Sequence, residues 1–178
     1  LNMWYHQVPV FSKNYRVITC DIRGFGKTES TKGEYSISLF AEDVYELMKA
    51  IRVENAYFLG YSIGGRIAVE LAINHPEMVK ALVIANSSLG FTSPSSETME
   101  RRRVVAELLE KGESRRAAEM MTNDAFSPNF KSKNPTEFKR YMTVKLQNKP
   151  DGFARVMRSV GPSTSPPDLG KVRCPVLL

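Results

Sequence analysis

The sequence has 178 residues, 42% hydrophobic and 25% charged, the make-up of one globular domain with a buried core. No apolar run approaches the roughly 20 residues of a membrane-spanning helix, and no basic–apolar–small signal pattern opens the chain. The net charge of +6 lies wholly in the last part: residues 1–60 carry 7 basic and 7 acidic side chains, 61–96 carry 2 and 2, and 97–178 carry 16 and 10. No basic stripe alternates with aromatic stacking residues, so a nucleic-acid partner is not expected.

In chain order, Tyr15–Cys20 is short and β-branched and is predicted as a buried strand. A glycine-rich loop, Asp21-Ile22-Arg23-Gly24-Phe25-Gly26, follows it. Ser36 or Ser38 is a helix cap, and Ile37, Phe40, Val44, Leu47 and Ile51 share one helical face. Ala56–Gly60 is a second short apolar strand. A turn leads to a helix over about Ile63–Asn74, with Ile67, Ala68 and Leu71 inward, stopped by Pro76. Ala81–Ala85 is a third buried strand. Residues 87–98 are rich in Ser, Thr, Pro and Gly, and polar helices are expected around 99–111, 115–122, 135–147 and 151–159. A second Pro/Ser/Gly stretch, 161–170, leads to Pro175–Leu178, the start of a fourth strand.

Strands alternating with helices specify an α/β fold with a parallel sheet and crossover helices. Continuously apolar strands indicate a sheet covered on both faces. The expected organisation is a core over 1–96, a helical insertion over 97–165 and a return to the core over 166–178. Cys20 and Cys174 each sit beside a strand-like run and read as buried free thiols. Their spacing suits neither zinc nor a disulfide framework, and a reducing, cytoplasmic setting fits.

The chemistry concentrates in Gly60-Tyr61-Ser62-Ile63-Gly64-Gly65, between a strand and a helix. This is the setting of a G-x-S-x-G nucleophile elbow. The turn is so sharp that its serine adopts a strained backbone, and side chains two residues to either side would clash, hence Gly60 and Gly64. Ser62 is the expected nucleophile. The Ile63 backbone N–H, at the positive end of the helix, is an expected oxyanion donor.

With these residues in view, the chain resembles the α/β-hydrolase fold family. The Asp-x-Arg-Gly-x-Gly at 21–26 resembles the loop after the family's fourth strand. Gly60–Gly65 resembles its elbow, His75-Pro76-Glu77 with the strand at 81–85 the segment after the elbow helix, and 169–178 the lead-in to the strand that carries the acid. The likeness covers residues 4–90 and 168–178, and the part between is similar only in being a helical cap. Among subfamilies it is most similar to bacterial lactone, ester and carbon–carbon-bond hydrolases, enol-lactonases included. A serine at position 62 separates it from the dehalogenase and epoxide-hydrolase branches, which use aspartate there.

The resemblance implies acyl transfer from a small-molecule carbonyl substrate to water, with no metal or organic cofactor. It also implies an internal piece of the domain, lacking the first strands and one oxyanion donor before Leu1, and the acid and histidine of the triad after Leu178. The triad runs Ser, acid, His in chain order. His6 precedes Ser62, and His75 closes the elbow helix about 18 Å along its axis. Asp124, Asp151 and Asp168 do not directly follow a sheet strand. The 178 residues alone are therefore expected to be inactive.

Gly26-Lys27-Thr28 has the end of a phosphate loop, but Asp21 stands where its first glycine belongs, and an acid repels phosphate. Arg23 is expected to fix its loop. Arg101, Arg102 and Arg103 fit a solvated helix face, or a cap that attracts anionic substrates. Met120, Met121 and Met142 are expected in packing. The alternative to an enzyme is a non-catalytic binding or scaffold protein on the same fold, and retention of Ser62 with Gly60, Gly64 and Gly65 argues for the enzyme.

Overall fold

The computed structural model describes residues 2–89, 95–123, 125–161 and 167–178. The chain divides into two compact units, Leu1–Gly33 with Glu100–Arg158, and Glu34–Met99 with Ser159–Leu178.

The second unit holds the sheet. Its elements are α2 (Ile37–Ala50), β1 (Ala56–Tyr61), α3 (Ile63–Asn74), β2 (Val79–Ala85) and β3 (Val176–Leu177), with α1 (Val8–Phe11) preceding them in the other unit. The strands are parallel in the order β1-β2-β3, as the strand–helix alternation requires. Ser36 starts α2 by accepting a hydrogen bond from the Leu39 N–H at 3.0 Å, and its own backbone is extended (φ −137°, ψ 163°). α3 packs on β1 and β2, and α2 packs on α3. Phe40, Leu71 and Leu82 are the buried centre of this unit. Side chains of this size each stabilise the fold by about 1.5–3 kcal/mol when fully buried.

β1 is covered on one face only. Gly60 is buried and Phe58 half-buried, whereas Tyr57 is 64%, Leu59 40% and Tyr61 38% exposed. The expectation of two covered faces therefore fails for this strand. α3 takes the Gly60 side, and successive side chains of a strand point oppositely.

The first unit is mainly helical: α4 (Ser96–Glu110, whose first residues lie in the other unit), α5 (Ser114–Asn123), α6 (Pro128–Lys133), α7 (Pro135–Leu146) and α8 (Pro150–Ser159). Its core joins Val105, Ala106 and Leu109 of α4, Ala117 of α5, and Phe153 and Ala154 of α8, with Phe25 packed against them. Arg102 donates to the last carbonyls of α8, those of Val156 and Met157, at 2.9 Å each. Gly152 opens α8 against the loop at Gly24, where a Cβ would stand 2.4 Å from the Gly24 carbonyl oxygen.

Three expectations are corrected here. Residues 15–20 form no strand and pair with none of the sheet strands, and Tyr15 and Ile18 are exposed. Apolar β-branched residues favour an extended chain, but a strand also needs a hydrogen-bonded partner ladder, and these residues belong to none among the described strands. Cys20 is exposed and Cys174 only half-buried, so neither is a core thiol, though both are free. A helix also forms at α6, where none was expected. The Ser127 side chain accepts from the Phe130 N–H at 3.1 Å, and Pro128 takes the first helical position, which needs no N–H.

Candidate active site

Ser62 stands between the last residue of β1 and the first of α3 with φ 53° and ψ −118°, the strained conformation expected of an elbow. Its N–H donates to the Ala85 carbonyl at 3.0 Å, continuing the β1–β2 ladder past the Tyr61–Ala85 pair. Its carbonyl accepts from the Gly65 N–H at 3.0 Å, the first bond of the helix. The residue is exposed, and its hydroxyl makes no hydrogen bond among the described residues. Ile63 is the first residue of α3, so its N–H has no helical carbonyl to meet. An exposed hydroxyl and an open N–H thus adjoin at the positive end of a 12-residue helix.

The glycines play unequal parts. A Cβ on Gly60 would lie 2.3 Å from the Gly64 carbonyl oxygen, and one on Gly65 would lie 2.7 Å from the Ser87 Cβ. Gly60 therefore lets α3 fold back onto β1, and Gly65 lets α3 close on the end of β2. A Cβ on Gly64 would meet nothing within 4 Å. The expected clash at Gly64 is absent, because its hydrogen-bearing side faces open space.

One tie beside Ser62 was not read from the sequence. At the end of β2, Asn86 has φ 48° and donates from its side-chain amide to the Tyr61 hydroxyl at 3.2 Å. The pair ties the ends of β1 and β2 together next to the elbow. An asparagine directly after an apolar strand is the one available signal, since asparagine tolerates positive φ.

The histidines are held elsewhere. His75 follows the last residue of α3, about 18 Å along the axis from Ser62. Its Nε2 lies 2.8 Å from a Glu42 carboxylate oxygen, and its ring stacks on Tyr45 at 3.6 Å between centroids. His6 lies 3.5 Å from the Glu137 carboxylate, within the other unit.

The loop at 21–28 is closed by its own aspartate. The Asp21 carboxylate accepts from the Lys27 N–H at 3.2 Å, its carbonyl accepts from the Thr28 hydroxyl at 2.6 Å, and a Cβ on Gly26 would strike the carboxylate at 2.3 Å. A phosphate has no place there. Arg23 donates to the Thr31 hydroxyl at 2.8 Å, the loop-fixing part expected of it. Of the three consecutive arginines only Arg103 is a solvated face, paired with Glu100 and Glu107. Arg101 and Arg102 donate to main-chain carbonyls of Met120, Val156 and Met157.

Among the described residues no helix is long and apolar enough to cross a membrane, and no group of three or more His, Cys, Asp or Glu is arranged to hold a metal ion.

Comparison with known proteins follows the same geometry. The profile of the alpha/beta hydrolase fold family matches residues 1–164. The chain is 26% identical to 3-oxoadipate enol-lactonase 2 of Acinetobacter baylyi over 178 residues, all of this chain and 65% of that protein. The enol-lactonase of Burkholderia xenovorans LB400 superposes with a TM-score of 0.88 at 26% identity, over 99% of this chain and 66% of that one. A thermophilic esterase of Thermogutta terrifontis superposes with a TM-score of 0.84 at 25% identity, over 98% of this chain and 64% of that one. The chain thus spans about two thirds of the length of these relatives. A parallel sheet, a strand-to-helix serine turn and a family match over most of the sequence agree: the chain belongs to the α/β-hydrolase fold family.

Proposed function

We propose that the protein is a serine hydrolase that cleaves an ester, lactone or similar carbonyl substrate through an acyl-enzyme, with Ser62 as nucleophile. The observation that carries this reading is the Ser62 backbone at φ 53°, which holds an exposed hydroxyl without a hydrogen-bond partner at the head of α3. The Ser62 oxygen attacks the carbonyl carbon as a base takes its proton. The oxyanion accepts from the Ile63 N–H and is stabilised by the helix end. Collapse breaks the ester or lactone C–O bond, and water then releases the acid and regenerates the serine. The lactonase and esterase relatives support this substrate class.

Neither histidine is assigned the base, since His75 is held by Glu42 and Tyr45 and His6 by Glu137. These 178 residues alone are therefore expected to show little turnover. The helical insertion, residues 97–165, is assigned the selection of substrate. The free Cys20 and Cys174 thiols suit a reducing compartment such as the cytoplasm.

The test is fluorophosphonate labelling, with hydrolysis of p-nitrophenyl acetate and a simple lactone, by the full-length protein and its Ser62→Ala variant. Turnover should fall by about 10⁴- to 10⁶-fold and labelling should vanish, with circular dichroism unchanged. Equal labelling and turnover in the variant would overturn the assignment of Ser62, and neither labelling nor turnover in the full-length parent would leave a binding or scaffold role.

A further inference from the structure

We propose that the corner between α7 and α8 binds the carboxylate of a small organic acid, through the Lys145 ammonium and the side-chain amide of Asn148. Five arginines of this unit have partners within it. Arg103 pairs with Glu100 and Glu107, Arg116 with Glu113 and Arg158 with Glu110, while Arg101 and Arg102 bond to main-chain carbonyls. Lys145 differs. It makes no hydrogen bond or ion pair among the described residues, and it is half-buried, with its ammonium 5.3 Å from the Tyr141 ring centre and 5.9 Å from that of Phe153. Burial lowers its pKa, and among the described residues no carboxylate acts against it.

A lysine in the last turn of a helix often serves only the negative end of the helix dipole. Such a lysine does so best from water, with its stem along the surface. Here the ammonium has left part of its hydration for two ring faces, which compensate a desolvated cation incompletely. An incoming anion supplies the missing partner.

Asn148 supplies the second donor. Its carbonyl oxygen is fixed, because it accepts from the Gly26 N–H at 3.2 Å. That leaves the NH2 arm, which has no partner among the described residues. The two residues are joined in one terminal turn, where the Asn148 N–H donates to the Lys145 carbonyl at 3.3 Å. A carboxylate has an oxygen for each donor. The Tyr141 and Phe153 rings beside the ammonium suit the hydrocarbon body of an organic acid and offer nothing to an inorganic anion. The site lies within one unit and does not depend on Ser62.

The experiment is an NMR titration of the full-length protein, carrying labelled lysine side chains and backbone amides, with sodium butyrate. Butyramide, sodium phosphate and sodium chloride at equal ionic strength are the comparison probes. The Lys145 side-chain signal, identified by its loss in Lys145→Met, and the Gly26 amide should shift saturably with butyrate and not with butyramide. Lys145→Met should weaken binding by about tenfold or more, and Lys145→Arg by much less. Asn148→Asp keeps the acceptor for Gly26 but replaces the donor by a charge, and should abolish binding while the Gly26 amide stays in place. No saturable shift in the tens of millimolar would overturn the proposal. So would equal affinity for butyramide or for phosphate, or unchanged affinity in both Lys145→Met and Asn148→Asp.

Discussion

The Ser62 N–H donates to the Ala85 carbonyl at 3.0 Å, so the last rung of the β1–β2 ladder is made by the residue that begins the turn into α3. The serine is held from behind by the sheet and in front by the helix, through its own carbonyl and the Gly65 N–H at 3.0 Å. A residue fixed at both ends cannot relax its φ of 53° by swinging away. The sheet therefore maintains a conformation that costs a non-glycine residue about 1–3 kcal/mol.

Ser62→Gly should consequently stabilise the protein while removing the reactive group. Glycine accepts this backbone without a Cβ clash but gives back part of the gain as extra freedom of the unfolded chain. The expected net is about 1 kcal/mol toward higher stability, measured by urea unfolding. Ser62→Ala keeps the Cβ and should change stability little. A loss of stability in Ser62→Gly would show that the turn is not strained.

The elbow glycines should separate under substitution. Gly60→Ala places a methyl 2.3 Å from a backbone oxygen that cannot move without unwinding α3, and should destabilise by about 3 kcal/mol or more. Gly65→Ala meets side chains of Ser87 and Ile84, which give more readily, so about 1–3 kcal/mol is expected. Gly64→Ala enters open space in a helix and should stabilise by up to about 1 kcal/mol. Denaturant midpoints for the three variants decide the order.

Acid should release one tie between helices α4 and α8. Arg158 donates to both carboxylate oxygens of Glu110 at 2.6 Å, and this holds the Glu110 pKa below its ordinary value of 4.5. A depressed carboxylate pKa contributes stability above its unfolded value and loses it as pH falls through the folded one. Glu110→Gln should therefore melt slightly lower than the wild type at pH 7, and the difference should close below the ordinary carboxylate range. Both groups are exposed, so the effect is small and should shrink in high salt. Melting curves of the two proteins across acid pH, at low and high salt, check the closing of the gap.

What could be read from the sequence was what local pattern determines. The serine turn, α3 and β2 follow from a glycine-framed serine between a short apolar run and a 3.6-residue periodicity, all within 30 residues of chain. Tyr15–Cys20 has the same strand composition yet joins no sheet, because joining one depends on a neighbouring strand that composition does not report. Gly64 looks equivalent to Gly60 in the motif, and only the folded helix shows which of the two faces backbone. Lys145 is one of many basic residues in its segment. Its place beside the rings of Tyr141 and Phe153, with no acidic partner among the described residues, is set by the folded chain and not by local pattern. By contrast, α6 had a readable start in Ser127-Pro128, a capping side chain followed by a residue suited to the first helical position.

The last prediction separates His75 from the chemistry. His75 ends α3 with its Nε2 2.8 Å from Glu42 of α2, and its ring lies nearly parallel to Tyr45 of α2 at 3.6 Å. It therefore fastens the far end of the elbow helix to its neighbour. A stacked ring pair contributes about 0.5–1.5 kcal/mol and a hydrogen bond to a carboxylate about as much again. His75→Ala should lower stability by roughly 1–2 kcal/mol, because the side chain is only 17% exposed and both contacts are lost. His75→Gln can keep the Glu42 hydrogen bond but not the stacking, and should fall between. Fluorophosphonate labelling of the full-length protein should be unchanged in both, at temperatures where both are folded. If His75→Ala abolishes labelling without loss of structure, His75 acts on Ser62, and its role is not merely structural.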